Sequence, residues 1–175
     1  MPIVNNDAMN LQTIKRLVPQ FGETLAQGVL TAQYKHLFKK DEIHFYMHKN
    51  EKFCIGADLT GYVMFVLKFN DFKVDNFKSV SLVGIHPAFL RSGYVKFFYY
   101  SYVKQYGGIA SDFSQRKDGM ELWKKLVLES SKNGCSAYVY NILNGDKKKY
   151  TGKNIADSKI WATSAHENLA IVLTK

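Results

Sequence analysis

Residues 79–126 read SVSLVGIHPAFLRSGYVKFFYYSYVKQYGGIASDFSQRKDGMELWKKL, and their pattern decides the fold. Residues 79–85 (SVSLVGI) are apolar on both alternating faces, as expected of a strand covered on both sides and therefore central in a sheet. His86-Pro87 ends that run. Residues 93–106 then place Val95, Phe98, Tyr99, Tyr102, Val103 and Tyr106 at helical spacing. Gly107-Gly108 stops the helix, and Ile109-Ala110-Ser111 is a short strand. A second helix over 118–128 carries Met120, Trp123, Leu126 and Val127 on one side.

Upstream, residues 42–49 alternate Ile43, Phe45, Met47 against His44, Tyr46, His48, a half-buried strand. After the turn 49–52, residues 53–57 form the next strand. Residues 61–69 form a third, ended by Asn70-Asp71, so the three make an antiparallel meander. Residues 11–38 show apolar positions three and four apart, interrupted near Pro19 and Gly28, which predicts two short N-terminal helices. Downstream, Asn133-Gly134 stops the second core helix and 136–143 is a strand. Residues 160–163 and 169–173 are strand-like. The expectation is one α/β domain over 1–175, with N-terminal helices in 1–40, a mixed central sheet and helices on both faces.

Composition narrows the function classes. The chain has 175 residues, 46% hydrophobic and 14% aromatic, with three prolines, which excludes a disordered chain. Two cysteines, Cys54 and Cys135, exclude a disulfide framework and a four-cysteine zinc site. His44 and His48 face one side of a strand with no evident third ligand, so they do not read as a zinc site. The longest apolar run, 63–67, is far below the ~20 residues of a spanning helix. The N-terminus has no basic region followed by an apolar stretch, and a cytoplasmic protein is expected.

Twenty-four Lys plus Arg against 15 Asp plus Glu give +9, which suits an anionic partner such as nucleic acid or a phosphorylated cofactor. The lysines are scattered, however. The one run, Lys147-Lys148-Lys149, follows the turn Asn144-Gly145-Asp146 and reads as a solvated hairpin tip. No P-loop, dinucleotide fingerprint or nucleophile elbow occurs.

The strand 79–85, then Pro87, a short loop and Gly93 opening a helix, resembles the acyl-CoA-binding core of the GNAT N-acetyltransferase superfamily. Ile109-Ala110-Ser111-Asp112, Gly119 and Leu122-Trp123-Lys124-Lys125-Leu126 are similar to small bacteriophage-encoded GNAT-like proteins, as are residues 137–140, 159–161 and 168–173. The resemblance covers 79–173 best. It implies an acetyl-CoA-dependent transferase that acylates an amine by direct attack, acting in the host cytoplasm if phage-encoded. Val83, Gly84 and Ile85 would flank the pantetheine arm, with Gly84 permitting close approach. Arg91, Ser92, Gly93, Tyr94 and Val95 would cradle the pyrophosphate at a helix N-terminus.

The loop departs from the family pattern of Gln or Arg, two residues, Gly, one residue, Gly or Ala. Aligned on Gly93, Leu90 and Val95 occupy the outer positions, and Arg91 lies one residue late. Where the family often has an acid tyrosine, this chain has Trp123, whose indole reads as core. The resemblance leaves Asp112, past a strand end, as candidate base or amine ligand, with a turn carboxylate as the alternative. His86, at the end of the central strand, is a candidate base or a structural histidine. The alternative function is a non-catalytic GNAT-fold protein that binds a host or virion protein, or a basic nucleic-acid-associated factor.

Overall fold

The computed structural model describes residues 8–113, 117–161 and 168–175. The fold is mixed α/β, and the chain divides into two compact units. One draws on Val4–Phe69 and Leu82–Phe98, the other on Asn70–Ser81 and Tyr99–Lys175.

The first unit opens with helices α1 (Ala8–Leu17) and α2 (Gln27–Gln33), followed by strands β1 (Tyr34–Lys40), β2 (Ile43–His48), β3 (Phe53–Ala57) and the start of β4 (Val63–Val74). Successive strands pair antiparallel in the order β1-β2-β3-β4, and β4 neighbours β5 (Phe77–Ile85). The turns use Asp41 and Glu51 in the left-handed region, at φ 52° and 57°. Alternation on β2 buries Ile43, Phe45 and Met47. Phe45 then packs edge-on to Phe65, ring centroids 5.5 Å apart, and Phe65 lies 5.0 Å from Phe98.

One expected helix is shorter than the pattern predicts. Tyr34 turns extended at φ −127° and ψ 153°, and Tyr34–Lys40 is strand. A spacing of four, as from Tyr34 to Phe38, fits a helical face; in the strand a register shift between His36 and Phe38 sends Tyr34 to the face of His48 and Phe38 to that of Phe45. Pairing with β2, Tyr34 opposite His48 through Lys40 opposite Ile43, decides the case.

The expected strand at 61–69 is likewise longer, for β4 runs through Asn70-Asp71 to Val74. The Asn70 amide donates to Ser79 Oγ at 2.9 Å, so a side chain that signals a turn is satisfied across the ladder instead. The turn lies at Asp75-Asn76, both left-handed (φ 50° and 69°), as a two-residue hairpin requires.

In the second unit, β5 continues into the order β5-β6-β9-β7-β8. Strand β6 is Gly108–Ala110, β7 Ser136–Asn141, β8 Lys147–Lys149 and β9 Leu169–Thr174. β5 and β6 are parallel, whereas β6–β9, β9–β7 and β7–β8 are antiparallel. Helix α4 (Lys117–Glu129) buries Trp123, Leu126 and Val127. Helix α3 (Tyr94–Tyr106) contributes residues to both units. The expected interior position of residues 79–85 is observed: β5 lies between β4 and β6, with Val80, Leu82, Val83 and Ile85 buried.

Two further expectations change. The run Lys147-Lys148-Lys149 is no hairpin tip but the exposed edge strand β8, paired with Tyr138–Tyr140. Edge lysines deter pairing with other chains, and Lys147 Nζ is already committed to Asp75 Oδ2 at 2.7 Å. The strand expected at 160–163 is absent at its start. A 3-10 turn over Asp157–Lys159 leads into Ile160 in the right-handed helical region, and Trp161 N–H donates to Asp157 O at 2.7 Å. Residues 162–163 lie outside the described residues.

Gly84 serves packing. A Cβ there would stand 2.8 Å from Ile14 Cδ1, 2.9 Å from Ile14 Cγ2 and 3.1 Å from Val66 Cγ2. The space attributed to cofactor approach is thus filled by α1. Gly84→Ala is expected to destabilise by about 1–3 kcal/mol through overpacking. Ile14→Val should recover part of that loss in the double mutant. Urea-unfolding midpoints of the four proteins test this, and simple additivity would refute the contact.

Candidate active site

At the end of β5, His86 N–H donates to Met64 O at 2.7 Å, which carries the β4 ladder one residue past Ile85. Pro87 then opens a 3-10 turn, Pro87–Phe89, where a missing N–H costs nothing. His86 caps it: Nδ1 accepts the Ala88 N–H at 3.3 Å. That bond puts the proton of the neutral imidazole on Nε2, so the free edge of His86 donates rather than accepts. The ring is half-buried against Tyr62 and Phe89, at 5.8 and 6.1 Å.

Beyond the turn, Arg91 (φ 64°) and Gly93 (φ 80°) both adopt the left-handed conformation, and α3 starts at Tyr94. Alternating hands of this kind curl successive N–H groups towards one concavity. The first turn of a helix also lacks intrahelical acceptors for its N–H groups. The Ser92 N–H and hydroxyl are not available, because both donate to Phe89 O, at 3.3 and 2.6 Å. Gly93, Tyr94 and Val95 therefore form the narrower donor set. Leu90 and Val95 are both half-buried.

A cation completes this end of the helix. Lys40 Nζ lies 3.4 Å from Ser92 O and 5.1 Å from the centre of the Tyr94 ring. A Cβ on Gly93 would meet that ammonium at 3.4 Å. Sequence reasoning missed Lys40, which closes β1 some fifty positions before the loop; nothing local marks it. The Tyr94 hydroxyl donates to Asp41 Oδ2 at 3.5 Å, and burial together with the Asp41 charge pushes its pKa up.

Asp112 belongs to the second unit, whereas His86 and the loop belong to the first. Asp112 is 9% exposed, and its Oδ1 accepts the Phe113 N–H at 2.8 Å. The backbone before it is pinned by a buried serine. Ser111 N–H donates to Ile171 O at 2.8 Å, and Ile171 N–H returns to Ser111 Oγ at 2.9 Å. Ser79 Oγ donates to Ser111 O at 2.9 Å. These bonds extend the β6–β9 pairing through a side chain and hold the carboxylate in place.

Trp123 is completely buried and meets Tyr99 edge-on at 5.2 Å, so it is core. Tyr99 and Tyr100 are buried too, and the Tyr100 hydroxyl donates to Leu126 O at 2.7 Å.

No family model matches this sequence, and no curated protein does. Among solved structures the chain is similar to a protein described as "Putative acetyltransferase from GNAT family from Bacteroides thetaiotaomicron". The likeness has 12% identity and a TM-score of 0.36, over 99% of this chain and 85% of that one.

Proposed function

We propose that the chain is an acyl-CoA-dependent N-acetyltransferase that acylates an amine. The observation that carries the reading is the start of α3. Two left-handed residues, a helix N-terminus and the Lys40 ammonium together favour a diphosphate there. The residues fit such a group through the N–H groups of Gly93, Tyr94 and Val95 and through Lys40.

Bound acyl-CoA supplies a thioester carbonyl, whose C–S bond breaks as the amine nitrogen forms the new C–N bond. The ammonium must first lose a proton, and Asp112 is the group assigned to accept it, directly or through one water. His86 Nε2–H is assigned to donate a hydrogen bond to the thioester oxygen, because its Nδ1 is occupied by Ala88. The second proton lost by the nitrogen ends on the departing sulfur.

Trp123 favours a second reading, a non-catalytic binding protein of the same fold. An indole buried to zero exposure cannot replace an acid tyrosine. Calorimetric titration with acetyl-CoA and with CoA separates the readings. Gly93→Trp is expected to abolish binding while the protein stays folded by far-ultraviolet circular dichroism, with about 1–2 kcal/mol lost to the positive φ. Unchanged affinity would remove this loop as the cradle, and no binding of either ligand at millimolar concentration would end the enzyme reading.

A further inference from the structure

The outer face of the β1–β2 hairpin carries chemistry that the cradle does not use. Tyr34 and His36 pair across from His48 and Tyr46, and His44 lies two residues from Tyr46 on the same face. His36 Nε2 and His44 Nδ1 are 3.2 Å apart, in hydrogen-bond contact, so one of the two nitrogens is unprotonated. The Tyr46 ring is stacked with His44 at 6.3 Å and edge-on to His36 at 5.3 Å. Tyr34, His36, His44 and Tyr46, together with Leu30 of α2 and Asp58 after β3, line an open pocket of about 460 Å³.

Two observations say what the pocket takes. Tyr34 is only 4% exposed, yet its hydroxyl has no hydrogen-bond partner. An unsatisfied buried hydroxyl is costly, so a ligand that pairs with it gains by doing so. Asp58 is the second. Its Oδ1 accepts the N–H of Thr60 (2.8 Å) and of Tyr62 (3.0 Å) and the Thr60 hydroxyl (2.6 Å). Burial pushes its pKa up, but these bonds outweigh burial and hold the carboxyl below its usual range. The Gly61 N–H adds to these bonds. With histidine neutral, Asp58 is the one charged side chain among the described lining residues, beside the Tyr34 and Tyr46 rings, whose faces attract cations. An anion would meet the wrong charge. A metal ion would lack a third donor, since no group of three His, Cys, Asp or Glu suited to a metal occurs among the described residues.

We propose that this pocket binds a small arylalkyl ammonium ion, its nitrogen met by the Asp58 carboxylate and the Tyr34 hydroxyl oxygen, its ring on the His36, His44 and Tyr46 rings. Only the further statement that this amine is the acetyl acceptor rests on the transferase reading.

The test is calorimetric titration of the full chain with 2-phenylethylamine in the absence of any acyl-CoA, with 2-phenylethanol as the neutral counterpart. The amine should bind and the alcohol should bind at least about tenfold more weakly, as expected for loss of a charge-assisted hydrogen bond. Asp58→Asn preserves the Oδ1 acceptor and should weaken amine binding by about ten- to hundredfold. Tyr34→Phe should weaken it while leaving the unfolding midpoint unchanged or raised, because the hydroxyl has no partner to lose. Absence of amine binding at millimolar concentration, equal affinity for the alcohol, or unchanged affinity in Asp58→Asn overturns the proposal. Acetyl-CoA titrated into the same sample reports on the cradle independently. Amine binding without acetyl-CoA binding keeps the pocket and ends the transferase reading; the converse result does the opposite.

Discussion

Trp123→Ala is expected to cost about 3–5 kcal/mol of folding stability, the range for truncating a fully buried indole. Trp123 has zero exposure, sits on the buried face of α4 and packs against Tyr99. Small proteins are stable by only about 5–15 kcal/mol, so this substitution removes a large share of the total. Urea unfolding followed by circular dichroism reads the loss directly. A loss below about 1 kcal/mol, the centre of ordinary point mutants, would contradict the core assignment. Trp123→Tyr puts a phenol at the same position, but a ring enclosed on α4 cannot meet a substrate. It is expected to leave any transfer rate no higher than wild type.

On the proposed transferase reading, Asp112→Asn is expected to lower turnover by about 10²–10⁴-fold, the usual contribution of a positioned base. The amide retains an oxygen that can still accept the Phe113 N–H, so the bond that shapes the local turn survives. Stability and acetyl-CoA affinity should therefore change little, which separates a base from a structural carboxylate. Asp112→Ala loses the turn bond as well, at about 1 kcal/mol. Steady-state kinetics with a saturating amine, alongside calorimetry with acetyl-CoA, provide the two readouts. Unchanged turnover with unchanged affinity would exclude Asp112 from the chemistry.

The candidate site was legible in part. Pro87, Gly93 and the helix that follows mark the loop by local chemistry, because glycine tolerates a positive φ and proline opens a turn. The loop's own bonds were not legible: the Ser92 N–H and hydroxyl both turn back onto Phe89 O. The resemblance assigned Gly84 to a cofactor, whereas Ile14 takes the space. Lys40 escaped notice, and so did the Tyr34, His36, His44 and Asp58 pocket. Each depends on which strands become neighbours.

Strands β2 and β3, the buried β5 and helices α3 and α4 were legible in the residues alone. In each, a period of two or 3.6 and a stop signal lie within one short window, and both act over neighbouring residues. That Tyr34–Lys40 is strand was set by its partner β2, because the register shift between His36 and Phe38 breaks the period of two that would have marked a strand locally. Only the tertiary structure placed the last strand, β9, between β6 and β7. Its burial of Ala170, Ile171, Val172 and Leu173 was implicit in composition. The choice of neighbours was not, because strand pairing is a bond between residues far apart in sequence and leaves no mark on either segment alone.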